Sequence, residues 1–336
     1  MTQIRSLAIF VLLTLSIMSL LLAAVATPAQ AQTAPAYPQK AVRMIIPFAP
    51  GGASDFAGRI ISVRLAEVLG QAIVVENRGG ASGNIGMEAA AKSPADGYTI
   101  YLGNIGTIAI NPAVFPTLTV NPARDFIAVT LVAEVPSILV AHPSLPANTI
   151  SEFVAMAKAK PGDFNFASPG SSSMNRLEME RFIKTEGMKM VHVPYKGGAG
   201  PAVQGLLGNE THVMFVTLSS AIAFVKSEKL KALAVTGSKR SDVLPQVPTM
   251  VESGYPESVS SSWQGVFVPA GTPRAVVIKL HEAVVKVMAM PEVKERFATS
   301  GVSAITSKTP EEFQAYVVAE SERWSKVAKE TGATVD

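Results

Sequence analysis

The chain has 336 residues, 48% of them hydrophobic, with a formal net charge of +3 and no cysteine. That length exceeds one ordinary domain and suits two. The near-neutral charge, with no Lys/Arg block interleaved with aromatics, argues against a nucleic-acid partner, and the lack of Cys excludes a disulfide framework and a lipid-anchoring cysteine.

Arg5 precedes "LAIFVLLTLSIMSLLLAAVA", an apolar run broken only by Thr14, Ser16 and Ser19. "AQA" at 29–31 then matches a small-x-small cleavage site. The run is long enough to span a bilayer, so a retained anchor is the alternative. The site and the Pro/Ala/Gln-rich stretch around it favour cleavage after Ala31. Residues 1–31 are expected to be a signal peptide, leaving an exported, soluble protein, periplasmic in a bacterium.

From residue 41 strand-like and helix-like segments alternate. "VRMIIPF" reads as a buried strand and 55–69 as a helix, with Ile60, Ile61, Leu65, Val68 and Leu69 on one broad face. Ser54 or Asp55 is its expected N-cap and Gly70 its stop. "AIVVEN" and "GYTIYLGN" follow as strands, and the βαβ pattern implies a mainly parallel sheet. A second series, "SILVAHP", "FNFASPG", "MVHVPYKG", "HVMFVTL" and "KALAVTG", alternates with helices at 150–159, 174–185 and 199–207. After a Pro/Ser-rich passage come the strand "WQGVFVPAGTP", a helix over 272–290 with Pro273 near N1, and a last helix over 310–329 capped by Thr309 with acids in its first turn. Two α/β lobes are expected, 32–134 plus 262–336 and 135–261. "VAEVPS" and "SSSWQG" are the expected crossings between them.

In open α/β sheets ligands sit beyond the carboxyl ends of strands, where loops meet helix N-termini. The loops at that position share one character: "APGGASD", "GNIGT", "SPGSSSMN", "YKGGAGP" and "VTLSS". Gly permits the positive φ that turns successive N–H groups inward, and Ser adds hydroxyl donors. With the partial positive charge of a helix N-terminus, such loops suit a carboxylate without arginine. "PFAPGGASDFAG" can equally be a plain tight turn, and that alternative stays open on spacing alone.

These loops also carry a family resemblance. "YPQKAVRMIIPFAPGGASDFAGRI", "VVENRGGASGNIG", "SPADGYTI", "HVPYKGGAGPAVQGLLG", "LKALAVTGSKRSDVLPQVPTMVESGYP" and "SWQGVFVPAGTP" occur in order from about residue 37 onward. They resemble the Bug/TctC family, periplasmic receptors of tripartite tricarboxylate transporters. The resemblance implies a type II periplasmic-binding-protein fold, α/β, with two lobes closing like a clamshell. It further implies a small carboxylate ligand (a di- or tricarboxylate, an amino-acid-like acid or an aromatic acid), a two-component membrane permease as partner, and no cofactor. Carried over by residue, it implies ligand contacts at Phe48, Ala49, Pro50, Gly51, Gly52, Ala53, Ser54 and Asp55, at Asn104 and its neighbours, at Ser168, Gly170, Ser171, Ser172 and Ser173, and at Val216 and Thr217. Many relatives have an acid where this chain has Val216, so a ligand ammonium would go unanswered and a non-amino acid is expected.

Single residues have plainer readings. Asp55 carries the wrong sign to face a carboxylate and reads as a helix cap. Arg78 reads as pairing with a nearby acid, Lys196 as structural, and Trp263 as packing. "GGASGNIG" lacks the glycine spacing of a dinucleotide loop. The four histidines show no ligand spacing for a metal, and Ser82, Ser168 and Ser172 lack a nucleophile elbow. A non-enzymatic, monomeric receptor is expected; an exported enzyme acting on a carboxylic acid or ester, or a signalling receptor, are the alternatives.

Overall fold

A computed structural model describes residues 37–170 and 173–332; the expected signal peptide and the expected contacts Ser171 and Ser172 lie outside these. The chain divides into a unit of residues 1–39 and one of residues 40–336. The strands and helices of the described residues lie in the second unit.

Its elements run in order β1 (Val42–Ile46), α1 (Ala53–Leu69), β2 (Ile73–Asn77), α2 (Asn84–Ala91), β3 (Thr99–Asn104), a π turn (Gly106–Ile110), α3 (Asn111–Val114), α4 (Pro122–Asp125) and β4 (Phe126–Ala141). Then follow α5 (Ile150–Ala159), β5 (Asn165–Ser168), α6 (Met174–Glu186), β6 (Val191–Pro194), α7 (Ala199–Leu207), β7 (Val213–Thr217), α8 (Leu218–Lys226) and β8 (Lys231–Val235). The last stretch holds β9 (Ser261–Pro269), α9 (Arg274–Ala289), α10 (Pro291–Ala298), β10 (Ser303–Ala304) and α11 (Pro310–Thr331).

Local signals fix several of these boundaries. Gly70 ends α1 in the left-handed conformation at φ 70°, its N–H donating to Ala66 O. Thr309 caps α11 by accepting from Glu312 N at 3.2 Å. The N-cap of α1 is Gly52, with no side-chain hydrogen bond, rather than the expected Ser54 or Asp55. Pro273 is the N-cap of α9, one position before the expected N1.

The strands lie in the order β2-β1-β3-β9-β4-β7-β5-β6, with β8 and β10 also paired to β4. The β1–β2, β1–β3, β5–β6 and β5–β7 pairs are parallel. Every pairing made by β4 and β9 is antiparallel, which corrects the expectation of a mainly parallel sheet. β4 is also far longer than the expected strand beginning at Ser137. Its first part, Phe126–Pro136, pairs with β9, and Ser137–Ala141 pairs with β7 and β8. Pro136, lacking an N–H for the ladder, sits where the strand changes partners.

Two apolar clusters flank this change of partner. One gathers Tyr101, Phe126, Trp263, Phe267 and Phe313 around β3, β9 and α11, with Tyr101 stacked on Phe126 at 5.1 Å and Trp263 edge-on to Phe313 at 5.9 Å. The other gathers Phe153, Phe166, Phe182 and Phe215 around β5, β7, α5 and α6. Buried Glu320 on α11 ties its helix to β9 by accepting from Trp263 Nε1 at 3.1 Å, and it also accepts from Trp324 Nε1 of its own helix at 3.1 Å.

The two passages between the strand sets are stitched by side chains. Thr236 Oγ1 accepts from Ser137 N at 2.9 Å and donates to Ser260 O at 2.9 Å. Thr236 N donates to Ser137 O at 2.9 Å, and Ser260 N to Thr236 O at 3.1 Å.

Gly265 on β9 leaves no room for a side chain, because an added Cβ would overlap the Phe313 ring. Gly265→Ala is expected to lower unfolding free energy by about 1–3 kcal/mol through overpacking. A denaturant titration with a lowered midpoint at unchanged slope checks it; an unmoved midpoint would show that Phe313 can yield.

Candidate functional site

The loop after β1 is held open by its own side chains. Asn77 Nδ2 donates to Phe48 O at 2.9 Å and to Asp55 Oδ1 at 3.0 Å. Asp55 Oδ2 accepts from Gly51 N at 3.1 Å, and Arg59 Nε donates to Asp55 Oδ1 at 2.9 Å. Asp55 therefore reaches back from the third position of α1 and fixes the loop. Its burial works to raise its pKa, but the bonds from Arg59, Asn77 and Gly51 outweigh that and hold it below the usual carboxylate range. The Gly51 amide is consumed in this way. The amides that remain for a guest are those opening α1, at Ala53 and Ser54, which have no acceptor within a helix.

Phe48 is seated by glycines. A Cβ on Gly83 would come 2.6 Å from Thr107 Cγ2 and 3.2 Å from the Phe48 ring, and one on Gly198 would come 3.2 Å from the same ring. Beside it, Ala81 and Ser82 adopt the left-handed conformation at φ 46° and 55°, and Asn111 Nδ2 anchors Ser82 O at 3.1 Å. Asn104 ends β3 with its Oδ1 accepting from Thr107 N at 3.0 Å, which leaves the Nδ2 donors for a guest.

These segments close on a cavity of about 60 Å³ whose lining comes from both strand sets. Four helix N-termini open onto it: α1 through Gly52, Ala53 and Ser54; α6 through its N-cap Ser173 with Met174 and Asn175; α7 through Ala199; and α8 through its N-cap Thr217. None of the described lining residues carries a charge. Gln264 is 1% exposed, and its Oε1 has no hydrogen-bond partner among the described residues. A buried acceptor left unpaired costs about 1–3 kcal/mol, a cost that a bound donor would remove.

Of the residues expected at a ligand site, Phe48, Gly52, Ala53, Ser54, Asn104, Ser173 and Thr217 line this cavity. Pro50, Gly51, Ser168, Gly170 and Val216 are not among its lining. Val216 is fully buried and paired with Ile138 inside the sheet. Ser168 is also fully buried; its Oγ lies 2.7 Å from His192 Nε2 and accepts from Gly170 N, so the pair braces the turn out of β5. Arg78 donates to Glu76 and Trp263 to Glu320, both away from the cavity. Met174, Asn175 and Ala199, from two of the expected loops, also line it, as does Ser82, which the sequence reading weighed only as a nucleophile; Ser262 and Gln264 were passed over. For Ser262 and Gln264 a signal existed: they flank Trp263 at period two, so they face away from the core that Trp263 fills.

A Cβ on Gly52 would meet only Ala199 Cβ at 3.7 Å, and the Gly52 φ of −92° suits any residue. Alanine is therefore accommodated there. Asp55→Asn is expected to remove the stability that the depressed carboxyl contributes above its unfolded pKa, a contribution normally lost as pH falls through the lower folded value. Thermal melts from pH 2 to 6 check this: the variant should melt lower at pH 6 and converge with the parent in acid. Parallel curves would show that the Asp55 charge does not matter.

Residues 57–333 match the sequence model of the tripartite tricarboxylate transporter family receptor. The chain is 36% identical over 312 residues to Protein BugT of Bordetella pertussis, covering 93% of this chain and 94% of that protein. The solved structure of periplasmic binding protein BugD is similar at 33% identity and a TM-score of 0.85, covering 89% of this chain and 100% of that one. The structure of R. palustris Rpa4515 with adipate is similar at 33% identity and a TM-score of 0.86, with the same coverages of 89% and 100%. No helix among the described residues is long and apolar enough to cross a membrane. The chain thus belongs to the Bug/TctC family of tripartite tricarboxylate transporter receptors, and its α/β architecture is the periplasmic-binding-protein fold of those solute-binding proteins.

Proposed function

We propose that the protein is an exported receptor that captures a small organic dicarboxylate between two lobes, residues 32–134 plus 262–336 and residues 135–261, and hands it to a two-component membrane permease. One observation carries this reading: four helix N-termini open onto one small cavity, and none of its described lining residues is charged. Each N-terminus offers unpaired N–H donors and about half a positive charge, so the site favours an anion, while no carboxylate among the described lining residues answers an ammonium group. Each charge-assisted bond contributes about 1.5–3 kcal/mol, and a handful offsets the desolvation of a carboxylate. A volume of about 60 Å³ takes on the order of five water-sized groups, which suits a short acid. The adipate in the similar Rpa4515 structure supports the same ligand class. The reading is of capture without turnover, and the Ser168–His192 pair is not among the described lining residues.

A thermal-shift panel of succinate, malate, glutarate, adipate, benzoate and glutamate tests it. At least one carboxylate should raise the melting temperature, because a ligand bound only by the folded state stabilises it. Glutarate should act more strongly than glutamate, and mass spectrometry should recover each acid unchanged. Stabilisation by sugars or amines alone, or appearance of a product, would overturn the reading.

Gly200 supplies a second test. Its ideal Cβ lies 2.6 Å from the Pro50 carbonyl oxygen, so an added methyl separates α7 from the loop after β1. Gly200→Ala is expected to weaken the best acid of the panel by about tenfold or more, roughly 1.4 kcal/mol. Calorimetry showing equal affinity would mean that this contact plays no part in capture.

A further inference from the structure

One carboxyl group touches both passages between the strand sets without lining the cavity. Glu178, on α6, accepts at Oε2 from Ser137 Oγ at 2.8 Å and from Asn175 Nδ2 at 2.8 Å, and at Oε1 from Ser260 Oγ. Asn175 Nδ2 also donates to Ser137 Oγ at 2.8 Å. Ser137 is the first residue of β4 after its change of partners, and Ser260 immediately precedes β9. Asn175, one turn before Glu178 on the same helix face, lines the ligand cavity. The side chain thus joins the outgoing strand, the returning strand and the cavity wall through three hydrogen bonds.

Its surroundings leave that role to the hydrogen bonds. Arg181, Glu257 and Arg323 face the same small cavity of about 50 Å³ that Glu178 borders. Arg181 is paired with Glu257 at 3.0 Å and Arg323 with Glu320 at 3.2 Å. With no cation bonded to it among the described residues, burial pushes the Glu178 pKa up to about 7, against the pull of Ser260, Ser137 and Asn175.

We propose that Glu178 is the positioning residue of capture: it locks both crossing strands to Asn175, so that occupancy of the cavity and the setting of the two lobes are one coupled event. Ser137 and Ser260 ride on different passages while Glu178 moves with α6. All four residues belong to the 135–261 lobe, so these bonds fix the two points at which the chain enters and leaves it, about which the other strand set turns. A guest that engages Asn175 tightens the same set. The inference rests on the receptor reading above, and its test separates the two.

Hydrogen–deuterium exchange on the unliganded protein reads the lock directly. In Glu178→Ala, exchange should quicken at both 134–138 and 259–262 while β1 stays as in the parent. No change at either passage, or change at only one, would overturn the proposal whatever the ligand results. The pH profile is a second readout. A carboxyl raised above its ordinary 4.5 stabilises fully below that value and loses the contribution as pH rises through about 7. The parent should therefore melt lower at pH 8 than at pH 5, and Glu178→Gln should lack that decline.

Coupling is read from affinities for the acid of the panel that most stabilises the parent. Glu178→Ala and Asn175→Ala should each weaken it about tenfold, and the double variant also about tenfold, because residues in one network do not add. Glu178→Gln, which keeps an acceptor for Asn175, should stay within about threefold of the parent. Losses that multiply to about a hundredfold in the double variant would overturn the coupling. If no acid stabilises the parent, the receptor reading fails, and the exchange data still decide on Glu178.

Discussion

The constraint on which the proposed capture depends is that negative charge has to be met with no positive side chain among the described lining residues. The described cavity wall holds hydroxyls, carboxamides, apolar groups and the openings of α1, α6, α7 and α8. Helix N-termini present donors fixed by the backbone, so their geometry is set by folding and costs little to organise when a guest arrives. A lysine in the same place would bring a flexible chain and a strongly hydrated head. The constraint reaches outward from there. Helices aim their N-termini at a common point only if the strands that precede them end at that point, and those strands come from both halves of the sheet.

The local part of this design was legible in the sequence. Gly70 and Thr309 mark helix ends because their signals act within a few residues. The loops carrying Phe48, Gly52, Ala53, Ser54, Asn104, Ser173 and Thr217 stood out because one Gly/Ser-rich character recurs where strands run into helices, a setting that suits an anion, and some of these loops carried the family resemblance. What escaped depends on distant pairing. Pro136 reads as a break until β9 is seen to pair up to it and β7 beyond it. The antiparallel centre of the sheet is a property of which strands meet, and strand composition does not reveal that.

Asp55 illustrates a subtler limit. Its position in the first turn suggests a cap, yet the α1 cap is Gly52 and the carboxylate reaches Gly51 N, Asn77 and Arg59 instead. The residue still serves the site, but by withdrawing one amide from the guest and stiffening the loop that offers the others. Val216 shows the converse. It occupies a family position at a strand end, yet it is enclosed by the sheet, and the lack of an acid is shared by all the described lining residues of the cavity rather than owed to that one side chain.

β4 serves two masters along one uninterrupted run of sixteen residues. Its first part supports the Trp263 cluster and its last residues support the Phe215 cluster. Cutting the gene at either passage would strand one portion of it with bare ladder groups and a raw apolar flank, an invitation to aggregate. The two halves are therefore bound to one another as folding partners, and melting should proceed as a single cooperative step rather than lobe by lobe.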